Sequence, residues 1–153
     1  MDCLQLLLTP PQRLGVGNSV GAILTAGARG YILQHRDLKP GIFFPGYLSL
    51  FGGALDEGEA PEDGVRRELH EELELEVEAL RPFGAVTFDW TPPGLPAAAR
   101  WFFHAEIPAE RVDGLTVHEG QGLRLLSPAD LFDGRWCHRS MRLRYGFTSV
   151  AHM

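Results

Sequence analysis

The stretch Gly52–Val77, GGALDEGEAPEDGVRRELHEELELEV, constrains this chain more than any other. Val65, Leu69 and Leu73 recur every four residues, which predicts a helix from Pro61 to about Leu73 with one apolar stripe turned toward a core. Pro61 suits the first turn, where a missing N–H costs nothing, and Glu62 and Asp63 fall at the positive end of the helix dipole. At about 100° per residue, Glu72 lies near +40° and Glu71 near −60° of Glu68, so three carboxylates share an arc of roughly 100°. Glu72 sits at the margin of the apolar stripe rather than in open solvent. Arg67 lies one turn before Glu71, where the two can pair at i,i+4.

This pattern works against the helix that carries it. Like charges at i,i+4 cost roughly 0.2–0.5 kcal/mol, and anions in the last turn oppose the dipole by about 0.3–1 kcal/mol. A hard divalent cation removes the conflict, because Mg²⁺ takes oxygen ligands from a few carboxylates and from substrate phosphate. The competing reading is a solvated acidic face, the usual fate of a charge run. The flanks weigh against it. Gly52-Gly53 lets backbone approach a ligand or metal closely, and Glu59 lies in the loop just before the helix.

The rest of the chain sets the frame. Its 153 residues suit one domain with one core, and 44% apolar with 22% charged residues is ordinary for a globular protein. No apolar run reaches the roughly 18 residues of a membrane span, so no membrane partner is expected. The start MDCLQLLLTPPQR lacks a basic segment before its short apolar run, so a secretory signal is not expected. Cys3 and Cys137 cannot build a disulfide framework, which points to a reducing, cytoplasmic setting. The net charge of −6 gives no field favouring nucleic acid. The charge is uneven, with eleven acids against two arginines between Asp56 and Glu78, and four arginines without an acid between Arg135 and Arg144. A small anionic substrate stays open, because a bound cation reverses the local field.

Along the chain, Ser19–Thr25 and Gly30–Arg36 read as a strand hairpin around the turn AGARG. Lys39–Tyr47 is an aromatic, Pro- and Gly-containing loop, followed by Leu48–Phe51. Leu75–Arg81, Phe83–Trp90, Arg100–Ile107 and Leu123–Leu126 look like strands, with the loop TPPGLPAAA between the second and third. Ser127-Pro128-Ala129-Asp130 reads as a helix start with Ser127 as N-cap. Strands mixed with at least two helices imply a mixed sheet covered by helices, in an α/β or α+β domain.

Gly53, five residues, Glu59, seven residues and then Arg67-Glu68-Leu69-His70-Glu71-Glu72, with Leu75 in the last apolar place, resembles the signature of the Nudix hydrolase family. The motif covers 23 of 153 residues and departs at Glu74, where the family usually has Gly for a left-handed turn. A non-Gly residue in that conformation costs roughly 1 kcal/mol or more, so either Glu74 bears the strain or the helix runs on. The resemblance implies a single α/β domain over residues 1–153, an α/β/α sandwich around a central mixed β-sheet, with residues 135–153 as a basic tail. It implies Mg²⁺ or Mn²⁺ as cofactor and hydrolysis of a nucleoside diphosphate linked to another group. Glu68 and Glu72 become the main metal ligands, Glu71 a further one, and the Gly53 carbonyl completes the shell. Glu59 and Arg67 orient the carboxylates. The general base is either Glu68 or a glutamate from a late loop, here Glu119; His118 beside it is read as incidental.

Three further features could touch substrate. Arg36 ends the second hairpin strand, where related proteins often bring an arginine to the pocket. Phe43, Phe44 and Tyr47 could stack on a base, against core packing or loop anchoring as the plainer role. The arginines of the tail could reach a phosphate or a partner subunit, against a solvated tail. Trp90 and Trp101 read as core. Three functions compete: a pyrophosphohydrolase, a catalytically silent nucleotide-sensing module, and an isoprenoid diphosphate isomerase, for which Cys3 and Cys137 are badly placed. Nucleoside triphosphate, nucleotide sugar, ADP-ribose and dinucleoside polyphosphate all stay open as substrate, and so does a homodimer.

Overall fold

The computed structural model describes residues 17–42, 44–88 and 97–132. Phe43, Trp90, most of TPPGLPAAA, Cys3, Cys137 and the tail arginines Arg135, Arg139, Arg142 and Arg144 lie outside the described residues. The first strand, β1, is Ser19–Thr25, as the sequence predicts. Val20, Ala22 and Leu24 on its one face are fully buried. β1 turns through a short 3-10 segment at Gly27–Arg29 into the antiparallel β2, Tyr31–His35. β3 (Leu48–Ser49), β4 (Arg81–Phe88), β5 (Ala98–Glu106) and β6 (Gly122–Leu126) complete a six-stranded sheet. Its order is β3-β2-β1-β5-β4, with β6 on β2. β5 runs parallel to β1 and the other pairs are antiparallel, so the sheet is mixed.

The sheet forks between β1 and β2. Only Leu24 and Thr25 of β1 pair with β2, while Gln34 and His35 of β2 pair with β3. The chain leaving β3 fills the fork: Phe51 bridges Ala22 and Ala54 bridges Ser19, with Val20 N–H donating to Gly53 O at 2.9 Å. Gly52 and Gly53 are thereby held in the sheet beside β1.

The long helix, α1, spans Pro61–Leu73, as the four-residue apolar spacing predicts. Val65, Leu69 and Leu73 are at most 1% exposed and join Val20, Ala22, Leu24, Ile32 and Phe51 in one core. Burying each such side chain contributes roughly 1.5–3 kcal/mol. Among the two outcomes open at Glu74, the structure takes the strained one: φ is 51° and ψ 32°. Glu74 N–H donates to His70 O at 2.9 Å, the bond of a left-handed helix cap, and Leu75 N–H donates to Leu69 O at 3.2 Å.

That cap overturns the strand expected at Leu75–Arg81. Residues 74–80 are irregular, and β4 begins only at Arg81. The alternation Leu75, Glu76, Val77, Glu78 has the period of a strand, but Leu75 is buried against the core under the helix end. Its burial comes from the helix stop, not from strand pairing. The other expected strands hold within two residues where described, and Trp101 packs against the core as expected. A 3-10 segment at Ala109–Gly114, absent from the sequence reading, buries Val112. The second helix, α2, is Pro128–Phe132, packed on β6. Ser127 caps it as expected: its Oγ accepts from Asp130 N–H at 3.1 Å and donates to Asp130 Oδ2 at 2.7 Å. No helix among the described residues is long and apolar enough to cross a membrane.

Candidate active site

The site begins where the fork in the sheet meets α1. Arg67 projects from the helix into the loop that precedes it. Its Nε and Nη2 grip Glu59 at 2.8 and 2.9 Å, its Nη1 reaches Glu68 at 2.9 Å and Glu71 at 3.1 Å, and its Nη2 also donates to Ala54 O at 3.0 Å. The planar guanidinium suits this work, because a Lys could not present parallel donors to one carboxylate. The expected pairing with Glu71 and Glu59 is present, and Glu68 joins it. The Arg67 hydrogen bonds, followed by the Asp56 N–H, hold the Glu59 carboxyl down at about 2. Arg67 in turn is raised above its ordinary value, chiefly by its bond to Glu59.

One turn on, the environment inverts. Glu72, expected at the margin of the stripe, is only 4% exposed. One carboxylate oxygen accepts from Gln34 Nε2 at 3.0 Å and the other from Gly52 N–H at 2.8 Å. Burial pushes the Glu72 carboxyl up to about 7, with the charges of Glu68 and Glu119 acting the same way. Glu68 is raised too, first by burial, against the pull of Arg67. Glu68 also lies directly over Gly53: a Cβ there would stand 2.6 Å from its Oε1. Gly53 therefore lets the carboxylate lie where a Cβ would push it aside.

Gln34 was missed by the sequence reading. It is 2% exposed, and its Oε1 accepts from Ser49 Oγ at 3.1 Å while its amide holds Glu72. The signal was a polar residue two positions after Ile32, on the face of β2 that turns to the helix.

The remaining expected residues are arranged around this core. Glu119 is exposed at a bend after His118, and its charge is felt by Glu68, Glu72 and Lys39. His118 packs against the helix end: its N–H donates to Glu72 O at 2.9 Å and its ring donates to the Glu74 carboxylate at 2.7 Å. The Glu119 loop is thus tied to the end of α1. Arg36 is half-buried, with Nη1 3.5 Å from Gln34 Oε1. Phe44 is 58% exposed with φ 48°, its ring 6.0 Å from that of Tyr47 and edge-on, which fits mutual anchoring within the loop.

Among the described residues, no three acidic, His or Cys side chains converge as a finished metal cage. Arg67 draws Glu68 and Glu71 to one side while Gln34 and Gly52 hold Glu72 on the other. The donor set nonetheless fits a hard cation: carboxylate oxygens, two of them desolvated, beside the cradle at Gly53 that a Cβ would fill.

The family model described as NUDIX domain matches residues 16–144. Among solved structures, the protein DR0079 from Deinococcus radiodurans is similar at 23% identity and a TM-score of 0.62, over 85% of this chain and 78% of that one. The NUDIX domain of NrtR from Shewanella oneidensis, solved with ADP ribose, is similar at 18% identity and 0.59, over 87% of each chain. The dihydroneopterin triphosphate pyrophosphohydrolase of E. coli is similar at 20% identity and 0.58, over 73% of this chain and 83% of that one. At these identities the likeness is one of fold.

Proposed function

The chain belongs to the NUDIX family, and from that premise we propose that it is a Mg²⁺- or Mn²⁺-dependent hydrolase that cleaves the pyrophosphate bond of a nucleoside diphosphate linked to another group. The observation that carries the reading is the pair of desolvated carboxylates, Glu68 over Gly53 and Glu72 on the Gly52 N–H, at the end of a helix that gains nothing from them. Glu68, Glu72 and Glu71, with the Gly53 carbonyl, would hold the cation. When bound, it would neutralise the diphosphate, polarise the phosphoryl oxygen and lower the pKa of water.

The chain's own residues do the rest. Arg67 fixes the rotamers of Glu68 and Glu71 and is itself anchored by Glu59 and Ala54 O. Gln34 and Gly52 fix both oxygens of Glu72. Support of this kind typically changes metal affinity or activity 10- to 100-fold. Either Glu68 or Glu119 takes the proton from the attacking water. Arg36 would meet a phosphate, and Phe44 and Tyr47 offer aromatic surface to a base. Nucleoside triphosphates, nucleotide sugars, ADP-ribose and dinucleoside polyphosphates are the candidate substrates. The reading takes residues 1–153 as one domain with a basic tail over 135–153, acting in the cytoplasm on a small molecule, as a monomer or homodimer.

A substrate panel with Mg²⁺ or Mn²⁺, read as phosphate after a coupled phosphatase, tests it. Turnover that is suppressed when Ca²⁺ replaces Mg²⁺, and that falls in Glu68→Gln, is expected. Binding of these nucleotides without cleavage of any under either metal would sink the hydrolase and leave a nucleotide-sensing module.

A further inference from the structure

Arg100 is a charged residue that the expected machinery does not use. On β5, Trp101, Phe103 and Ala105 turn into the core under α1, so alternation puts Arg100, Phe102 and His104 on the opposite face. His104 confirms the assignment by bonding Thr25 Oγ1 of the parallel neighbour at 2.9 Å. The Arg100 guanidinium lies over Gly21 of β1: a Cβ on Gly21 would stand 3.2 Å from both Nε and Nη2. Its carbon is also 5.7 Å from the centre of the Phe102 ring. A glycine inside a strand weakens the strand and marks close approach by another group. Here that group is a guanidinium.

Nothing among the described residues neutralises it. Nε is buried without a hydrogen-bond partner, and no carboxylate there forms an ion pair with Arg100. Burial lowers its pKa and the Arg36 charge lowers it further; only the Glu72 charge opposes them. Arg100 is therefore within electrostatic reach of Arg36 and of Glu72, and Gly21 beneath it packs against Gly52. A desolvated guanidinium with an unpartnered N–H and no ion pair favours an incoming anion.

We propose that Arg100 is an anion-binding residue that takes a phosphate oxygen of the substrate, with Gly21 as the gap that lets its guanidinium lie against the sheet. The inference rests on the hydrolase reading for the identity of the anion as a substrate phosphate. A guanidinium suits phosphate oxygens because it can offer parallel N–H donors, and the Phe102 ring lies beside it. It acts in binding rather than in the bond-breaking step, so it sets KM and not kcat.

Calorimetric titration of the full chain with pyrophosphate, ADP and ADP-ribose in the presence of Ca²⁺ tests this without turnover. Arg100→Gln is expected to weaken binding of at least one probe by about tenfold or more, the loss of a charge-assisted bidentate contact. Arg100→Lys is expected to recover part of the loss. With a cleaved substrate, KM rises by the same factor while kcat stays within about threefold. Folded Arg100→Gln that binds all three probes like the parent overturns the proposal, and so does a parent that binds none. Should Arg100→Gln fail to fold, Arg100→Lys decides, since it keeps the charge and removes the fork: binding weaker than the parent supports the proposal and unchanged binding overturns it. A parent that binds in an Arg100-dependent way yet cleaves nothing refutes the hydrolase and leaves the anion site standing.

Discussion

Glu59, just before α1, and Glu72, in its last turn, differ in almost every respect. Glu59 meets a guanidinium head-on and is held at about 2; Glu72 meets only an amide and one N–H and is pushed up to about 7. At the Arg67 end each carboxylate meets the guanidinium. At the Glu72 end burial opposes the charge, and among the described residues no cation forms an ion pair with it. The contrast separates scaffolding from chemistry: the charges of the finished end hold geometry, and those of the unfinished end are kept for a ligand that brings its own positive charge.

Breaking the unfinished end has the largest effect. Glu72→Gln keeps the shape and an acceptor for Gly52 N–H, and kcat/KM is expected to fall roughly 10²- to 10⁴-fold, the range typical of a lost catalytic group. Chemical denaturation at pH 8 without metal is expected to leave its stability within about 1 kcal/mol of the parent, because the lost bond is offset by removal of a buried charge. A large loss of stability would make Glu72 structural.

Arg67→Ala attacks the finished end. It strands Glu59 and frees Glu68 and Glu71, so a modest loss of stability and a roughly 10- to 100-fold loss of activity are expected. Arg67→Lys is expected to recover little of either, because one ammonium cannot replace the fork. Activity near the parent level in Arg67→Ala would erase the distinction between the two ends.

The pH dependence of stability separates the two carboxylates by sign. Glu59 has a folded pKa below the unfolded value of 4.5, so its contribution is present above pH 4.5 and is lost as pH falls toward 2. Glu72 has a folded pKa above the unfolded value, so the native state holds the extra proton between pH 4.5 and about 7 and stability falls as pH rises through that window. Urea unfolding of metal-free protein at pH 4.5 and 7.5 is expected to show a decline on the order of 1–3 kcal/mol from this group, absent in Glu72→Gln. Identical pH slopes in the parent and Glu72→Gln would contradict the burial argument.

The smallest effect belongs to the helix stop. Glu74→Gly relieves a left-handed residue at a gain of up to about 1 kcal/mol, less the little that an exposed Glu74–His118 contact contributes. Thermal unfolding is expected to shift upward by a few degrees with kcat unchanged. A drop in kcat would mean that the His118–Glu74 tie sets the position of Glu119.

The same contrast explains what could be read from the sequence. α1 was legible because its stripe and its conflicting charges are local, set by spacing along one element. β1 and β2 were legible for the same reason, as apolar runs around a turn. Leu75–Arg81 was misread because an apolar residue buried by a helix stop has the same alternation as one buried in a strand. Gln34 and Arg100 were missed because their meaning is tertiary: the first meets Glu72 from 38 residues away, and the second matters only because Gly21 lies beneath it.

The account stands or falls on a cation at the unfinished end. Titration of the protein with Mn²⁺ at pH 8, followed by loss of the free-ion signal in electron paramagnetic resonance, measures that directly. Binding by the parent that weakens at least about tenfold in Glu68→Gln and in Glu72→Gln is the expected result. A parent that takes up no Mn²⁺ with nucleotide present, or variants that bind it as tightly as the parent, would contradict it.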